Sequence, residues 1–171
     1  DVLSTLQKLA TFHRRRMLIP IIGITGSNGK TTTKELISVV LNSQYNCHFT
    51  KGNLNNHIGV PLTLLELTSE HEVAIIEMGA NHVGEIDFLC KIAEPTHGII
   101  TNIGKAHLEG FGGIEGVKKG KSELYKFIQW QNGVVFINME EPFLSELFEG
   151  ISKRVFYKKS EKPNPLEASY E

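Results

Sequence analysis

The segment Ile21-Ile22-Gly23-Ile24-Thr25-Gly26-Ser27-Asn28-Gly29-Lys30-Thr31-Thr32-Thr33-Lys34-Glu35-Leu36 decides the fold. Its first five residues form a short apolar run opened by Pro20, the length of a buried strand. Glycines and small polar residues follow, and from Thr32 onward Leu36, Ile37, Val40 and Leu41 recur at helical spacing. Strand, glycine-rich turn and helix in that order bring free backbone N–H groups to a helix N-terminus, which attracts anions. Gly26, Ser27, Asn28 and Gly29 would wrap a phosphate, with Thr32 at the helix start. Lys30 would reach the outer phosphates, and the Thr31 hydroxyl would ligate Mg²⁺. The phosphate-loop pattern GxxxxGK[ST] asks for glycine where this chain has Ile24, so a surface turn with an incidental lysine is the competing reading.

The same grammar repeats on either side. Residues 73–78 are apolar but for Glu77, and after Gly79 a helix carries Ile86, Leu89, Cys90 and Ala93 on one face. Residues 98–103 and 133–138 are strand-like, with a helix over 114–128 between them. A short helix over 142–148, stopped at Gly150, precedes a last strand over 154–157. Upstream, residues 2–13 make an apolar-faced helix. Alternating strands and helices predict an α/β fold of three layers, a mostly parallel sheet with helices on both faces. Ligands then sit beyond the carboxyl ends of the strands.

Composition narrows the function classes. Of 171 residues 40% are apolar and 22% charged, and 18 Lys+Arg against 19 Asp+Glu leave a net charge of -1. That is a globular domain with no electrostatic reason to bind nucleic acid. Between Gly23 and Gly120 lie 14 of the 16 glycines, where an even spread would place about nine. We read most of them as turns at one edge of the sheet where phosphate and metal approach the backbone. Cys47 and Cys90 are too far apart for a CxxC site and read as buried apolar residues in a reducing compartment. Arg14, Arg15 and Arg16 before an apolar run mimic a signal peptide, but Pro20, Gly23 and the lack of a cleavage pattern argue against one. No segment approaches a membrane span, so a cytoplasmic protein without membrane insertion is expected. Asp1 at the start, and a polar tail over 159–171 with nothing to pack, suggest a piece of a longer chain.

Three further residues stand out. Glu77 ends its strand beside the phosphate loop, where either a Mg²⁺ ligand or a solvated strand end would sit. His107 follows the 98–103 strand among glycines, as a metal ligand or a structural histidine. In the 114–128 helix, Ile114, Val117, Leu124 and Ile128 form the apolar stripe, and Lys121 fills its one vacancy. Either Lys121 snorkels to water, or it is buried with part of its amine neutral and nucleophilic.

With these residues in place, the chain resembles the central ATP-binding domain of the Mur ligase family. The likeness covers about residues 18–138 and rests on four blocks: Thr25 to Leu36; Gly52-Asn53-Leu54-Asn55-Asn56-His57-Ile58-Gly59-Val60-Pro61; Glu77-Met78-Gly79-Ala80-Asn81; and Asn102 to Gly112. The family's loop also begins Thr-Gly, which accounts for Ile24. The resemblance implies a ligase of peptidoglycan synthesis that uses ATP and Mg²⁺ and makes an amide bond through an acyl phosphate. It is nearest to members that join D-alanyl-D-alanine to UDP-N-acetylmuramoyl-tripeptide; members adding the third peptide residue are the nearest rival. A noncatalytic nucleotide-binding or scaffold module is the alternative from another class. Folylpolyglutamate synthases differ in having Gly-Lys-Gly-Ser where this chain has Gly29-Lys30-Thr31-Thr32, and relatives with a four-cysteine zinc insertion need more cysteines.

By the same resemblance Lys30 contacts the β and γ phosphates, Thr31 and Glu77 hold one Mg²⁺, and His107 helps hold a second. Lys121 aligns with a lysine that the family carbamylates with CO₂, and Asn55 and Asn56 lie on the substrate side. The expected organisation is a linker helix over 1–17, an incomplete central domain over 18–158 and the polar tail, without the N-terminal UDP-binding and C-terminal ligase domains. Such a fragment is expected to be a monomer and not to ligate on its own.

Overall fold

The computed structural model describes residues 1–144, 151–159 and 169–170. Its elements are α1 (Val2–Arg16), β1 (Ile21–Thr25), α2 (Lys30–Leu41), β2 (Cys47–Phe49), α3 (Gly59–Leu65), β3 (Val73–Glu77), α4 (Glu85–Ala93), β4 (His97–Ile100), α5 (Leu108–Phe111), α6 (Ile114–Trp130), β5 (Val134–Asn138), β6 (Arg154–Tyr157) and β7 (Ser169–Tyr170). The strands form one sheet in the order β2-β3-β1-β4-β5-β6-β7, parallel except for the β6–β7 pair.

Strand alternation sorts the side chains between two cores. Ile21, Ala74, Ile76, Ile100, Val135 and Ile137 face α1, α3, α4 and α6, while Ile24, Val73, Ile75 and Ile99 face α2. Helices therefore cover both faces, unequally. Because β1 leads into α2 on one face and its neighbour β3 into α4 on the other, their loops diverge and open a crevice at the strands' carboxyl ends. The same alternation sends Glu77 to the α2 side.

Three local expectations are corrected. Of the four apolar residues that recur at helical spacing in α2, Leu36 and Val40 are 65% and 69% exposed, and the buried residues of α2 are Lys34 and Ser38. Only Ile37 and Leu41 of the expected stripe pack against the sheet. The tail over 159–171 was expected to pack nowhere, yet Ser169 and Tyr170 pair with Phe156 and Val155; backbone pairing at a sheet edge does not depend on apolar side chains. Residues 160–168 and 171 of that tail, and residues 145–148 of the expected helix over 142–148, lie outside the described residues. Finally, not every glycine of the 23–120 cluster sits in a turn: Gly120 lies within α6. A Cβ on Gly120 would sit 2.5 Å from the Phe111 ring, so this glycine is there for packing.

The helix expected as a linker is docked on α3 and α4, with Ala10 fully buried. The arginines that mimicked a signal sequence do this work. Arg14 donates to the carbonyls of Ala93 (2.9 Å), Glu94 (3.1 Å) and Met17 (2.6 Å), closing the C-terminus of α4. Arg15 grips Glu94 Oε1 with two nitrogens, at 2.9 and 2.7 Å. Arg14→Met strands buried carbonyls, so we expect it to lower unfolding free energy by about 2 kcal/mol, read from the urea midpoint at unchanged slope.

Candidate functional site

The turn after β1 is held by the loop after β4. Ser27 N donates to Asn102 O (3.1 Å), and Ser27 Oγ both donates to Gly104 O (3.1 Å) and accepts from Gly104 N (2.9 Å). Asn28 N donates to Asn102 Oδ1 (3.0 Å), while Thr101 Oγ1 (2.6 Å) and Asn102 Nδ2 (3.1 Å) donate to Asn28 O. The approach is so close that a Cβ on Gly26, at φ 148°, would lie 1.9 Å from Thr101 Oγ1. Only glycine fits there. Thr101 and Asn102 were not singled out from sequence, because their task depends on β1 and β4 being neighbours in the sheet.

Gly29, at φ 76°, caps α2, and Thr31 and Thr32 lie exposed in its first turn. Lys30 curls back over the loop, its Nζ donating to Gly26 O at 2.8 Å and Ser27 O at 3.5 Å. Partial burial lowers its pKa, and the charge of Glu77 opposes that shift.

Glu77 is 1% exposed. Its Oε1 accepts from Asn55 Nδ2 (2.8 Å) and Thr31 Oγ1 (3.3 Å). Its Oε2 is buried without a hydrogen bond and lies 3.7 Å from Lys34 Nζ. Two ligand oxygens on adjacent positions of octahedral Mg²⁺ are about 3 Å apart, so Thr31 and Glu77 are spaced to share that ion. Asn56 uses its carboxamide oxygen to accept from Ile58 N (3.0 Å) and Gly59 N (2.9 Å) at the start of α3.

An open cleft of about 790 Å³ occupies the crevice, lined by Lys30, Asn55, Asn56, Gly79, Ala80 and His107 among others. His107 is exposed on its rim in the left-handed region, at φ 57°. Among the described residues no three His, Cys, Asp or Glu side chains converge as a metal site. Lys121 is 2% exposed, with Nζ 3.4 Å from Ala80 O and 5.3 Å from the centre of the Phe111 ring. Burial, and then the nearby charge of Lys30, lower its pKa from 10.5 to about 8.

Sequence reasoning passed over Lys34, which is 0% exposed. Its Nζ donates to Thr50 O (2.6 Å) and Gly52 O (3.2 Å) and pairs with Glu35 Oε1 at 3.1 Å. The signal was there: Lys34, Ile37, Ser38 and Leu41 share one helical face, the rhythm that drew attention to Lys121.

The sequence profile of the Mur ligase middle domain matches residues 24–169. The chain belongs to the Mur ligase family. It is 43% identical over 148 residues to the UDP-N-acetylmuramoyl-tripeptide–D-alanyl-D-alanine ligase of Bacillus subtilis, covering 86% of this chain and 32% of that one. Among solved structures, MurF from Acinetobacter baumannii superposes with a TM-score of 0.85 at 41% identity, covering 94% of this chain and 36% of that one. MurF ligase from Thermotoga maritima, solved in complex with ADP, gives 0.85 at 34% identity, covering 94% and 37%. The chain thus spans about a third of the Mur ligases it matches. Among the described residues no helix is long and apolar enough to cross a membrane.

Proposed function

We propose that this chain is the nucleotide-phosphate site of an ATP-dependent ligase that joins D-alanyl-D-alanine to UDP-N-acetylmuramoyl-tripeptide. The observation that carries the reading is the cross-linked loop over 26–32, opening on α2 beside Glu77. In the reaction, a carboxylate oxygen of the tripeptide attacks the γ-phosphorus, the bond to the β-phosphate oxygen breaks, and ADP leaves. The amine of D-alanyl-D-alanine then attacks the acyl carbon of the acyl phosphate, loses a proton and expels phosphate. Positioning and charge neutralisation dominate such chemistry.

The residues divide the work. The amides following Gly26 cradle phosphate oxygens at the α2 N-terminus. Lys30, now on the carbonyls of Gly26 and Ser27, swings to the β and γ phosphates. Thr31 and Glu77 would hold Mg²⁺, which would neutralise phosphate charge, and His107 would serve a second ion from the cleft rim. Asn55 orients Glu77 and, with Asn56, borders the acceptor substrate. Lys121, depressed to about 8, is amine enough near neutral pH to take up CO₂ as a carbamate. Carbamate formation is therefore expected to rise as pH passes through about 8, read as the ¹³C signal of protein equilibrated with ¹³C-bicarbonate; a pH-independent null result contradicts it.

Lys30→Ala is the test of the site. Titrated with ADP and Mg²⁺, the variant should lose measurable affinity while keeping its fold. Unchanged affinity would point instead to a scaffold module that does not use the loop.

A further inference from the structure

The Lys34 ammonium sits where three parts of the site meet. Its three hydrogens face three acceptors: Thr50 O, Gly52 O and Glu35 Oε1. Nothing remains to donate to Glu77 Oε2, which is buried, has no hydrogen bond, and has the Lys34 charge at 3.7 Å. A buried carboxylate oxygen in that state is costly unless a charge compensates it.

The two oxygens of Glu77 are thus divided along α2. Thr31 and Lys34 lie one helical turn apart on the same face. Thr31 Oγ1 meets Oε1 at 3.3 Å, and Lys34 Nζ faces Oε2. The same ammonium holds two carbonyls of the loop that carries Asn55, the other donor to Oε1 at 2.8 Å. Thr50 adds a third tie, accepting from Glu77 N at 3.0 Å through its hydroxyl.

We infer that Lys34 is a positioning residue for Glu77: it holds the inner carboxylate oxygen by charge and fixes the 50–55 loop, so that the outer oxygen faces Thr31 and the cleft. This rests on the proposed Mg²⁺–nucleotide site. Lys34 touches neither phosphate nor metal in that site; it acts by orienting a ligand, as outer partners of metal ligands do.

The test separates metal-dependent from metal-independent binding. ADP affinity of the chain is measured with and without Mg²⁺, for the parent and for Lys34→Met, with thermal unfolding recorded for both. We expect the variant to keep ADP affinity without Mg²⁺ and to lose roughly tenfold or more of the affinity that Mg²⁺ adds. An unchanged Mg²⁺ gain, or equal losses with and without the ion, overturns the inference and marks Lys34 as structural only. Failure of the parent to bind ADP at all would instead sink the nucleotide-site reading. Should Lys34→Met not fold, the unaltered protein decides. The ¹⁵N signal of the Lys34 ammonium should shift when Mg²⁺ is added to ADP-saturated protein, and its constancy overturns the inference.

Discussion

Replacing Lys121 by methionine should stabilise the fold by about 3 kcal/mol at pH 7, the size of a fall from 10.5 to about 8. Below pH 8 the lysine is charged in both folded and unfolded protein, so the folded state carries the full cost of burying the ammonium. Its compensation is partial: one carbonyl at 3.4 Å, a ring at 5.3 Å and the charges of Glu85 and Glu123, which do not outweigh the burial. As pH rises from about 8 towards 10.5 the folded lysine releases its proton first, and the cost disappears. The advantage of Lys121→Met, read as a difference in urea unfolding free energy, should therefore shrink towards zero at pH 10. On the proposed function the same variant removes the amine that would carry the carbamate, and should abolish ligation in a ligase containing this domain. A destabilised Lys121→Met protein would contradict the burial cost assigned to this lysine.

Glu77→Leu should have the opposite sign. Glu77 and Lys34 are 1% and 0% exposed, and removing one member of a buried ion pair costs about 3–5 kcal/mol, because the other charge is left uncompensated. Here Glu35 still faces Lys34, but from a half-exposed position. Asn55 and Thr31 also lose their shared acceptor. The loss should appear as a lowered urea midpoint, with Glu77→Gln intermediate, and both variants should lose the Mg²⁺-dependent part of nucleotide binding. Stability equal to that of the parent would show that the pair is not coupled to folding.

The contrast between the two lysines also shows how far sequence could reach. Lys121 was legible because its helix has a clean apolar stripe with one vacancy. Lys34 lies on a face with Ile37, Ser38 and Leu41, but the apolar residues of α2 also include the exposed Leu36 and Val40, so they spread round the helix and mark no single vacancy. Beside Ile37 and Leu41 that face carries Lys34, which meets Glu77 and the Thr50 and Gly52 carbonyls, partners far away in the chain. The parallel sheet was readable from repeated strand-turn-helix units, each local in sequence. Elements too short for a period were missed: β2, α5, and α3 with Pro61 in its first turn, where the missing N–H costs nothing. Arg14 was likewise opaque, because a buried arginine is defined by carbonyls some eighty residues away.

The central claim is that residues 26–32 form a nucleotide-phosphate site. Backbone amide shifts of the chain, followed by NMR during titration with Mg²⁺–ADP, test it most directly. The largest saturable changes should fall on Gly26 to Thr32, with smaller ones at Thr101, Asn102 and Gly104, which hold the loop. Saturable changes elsewhere with this segment unmoved, or none at any concentration, would contradict it.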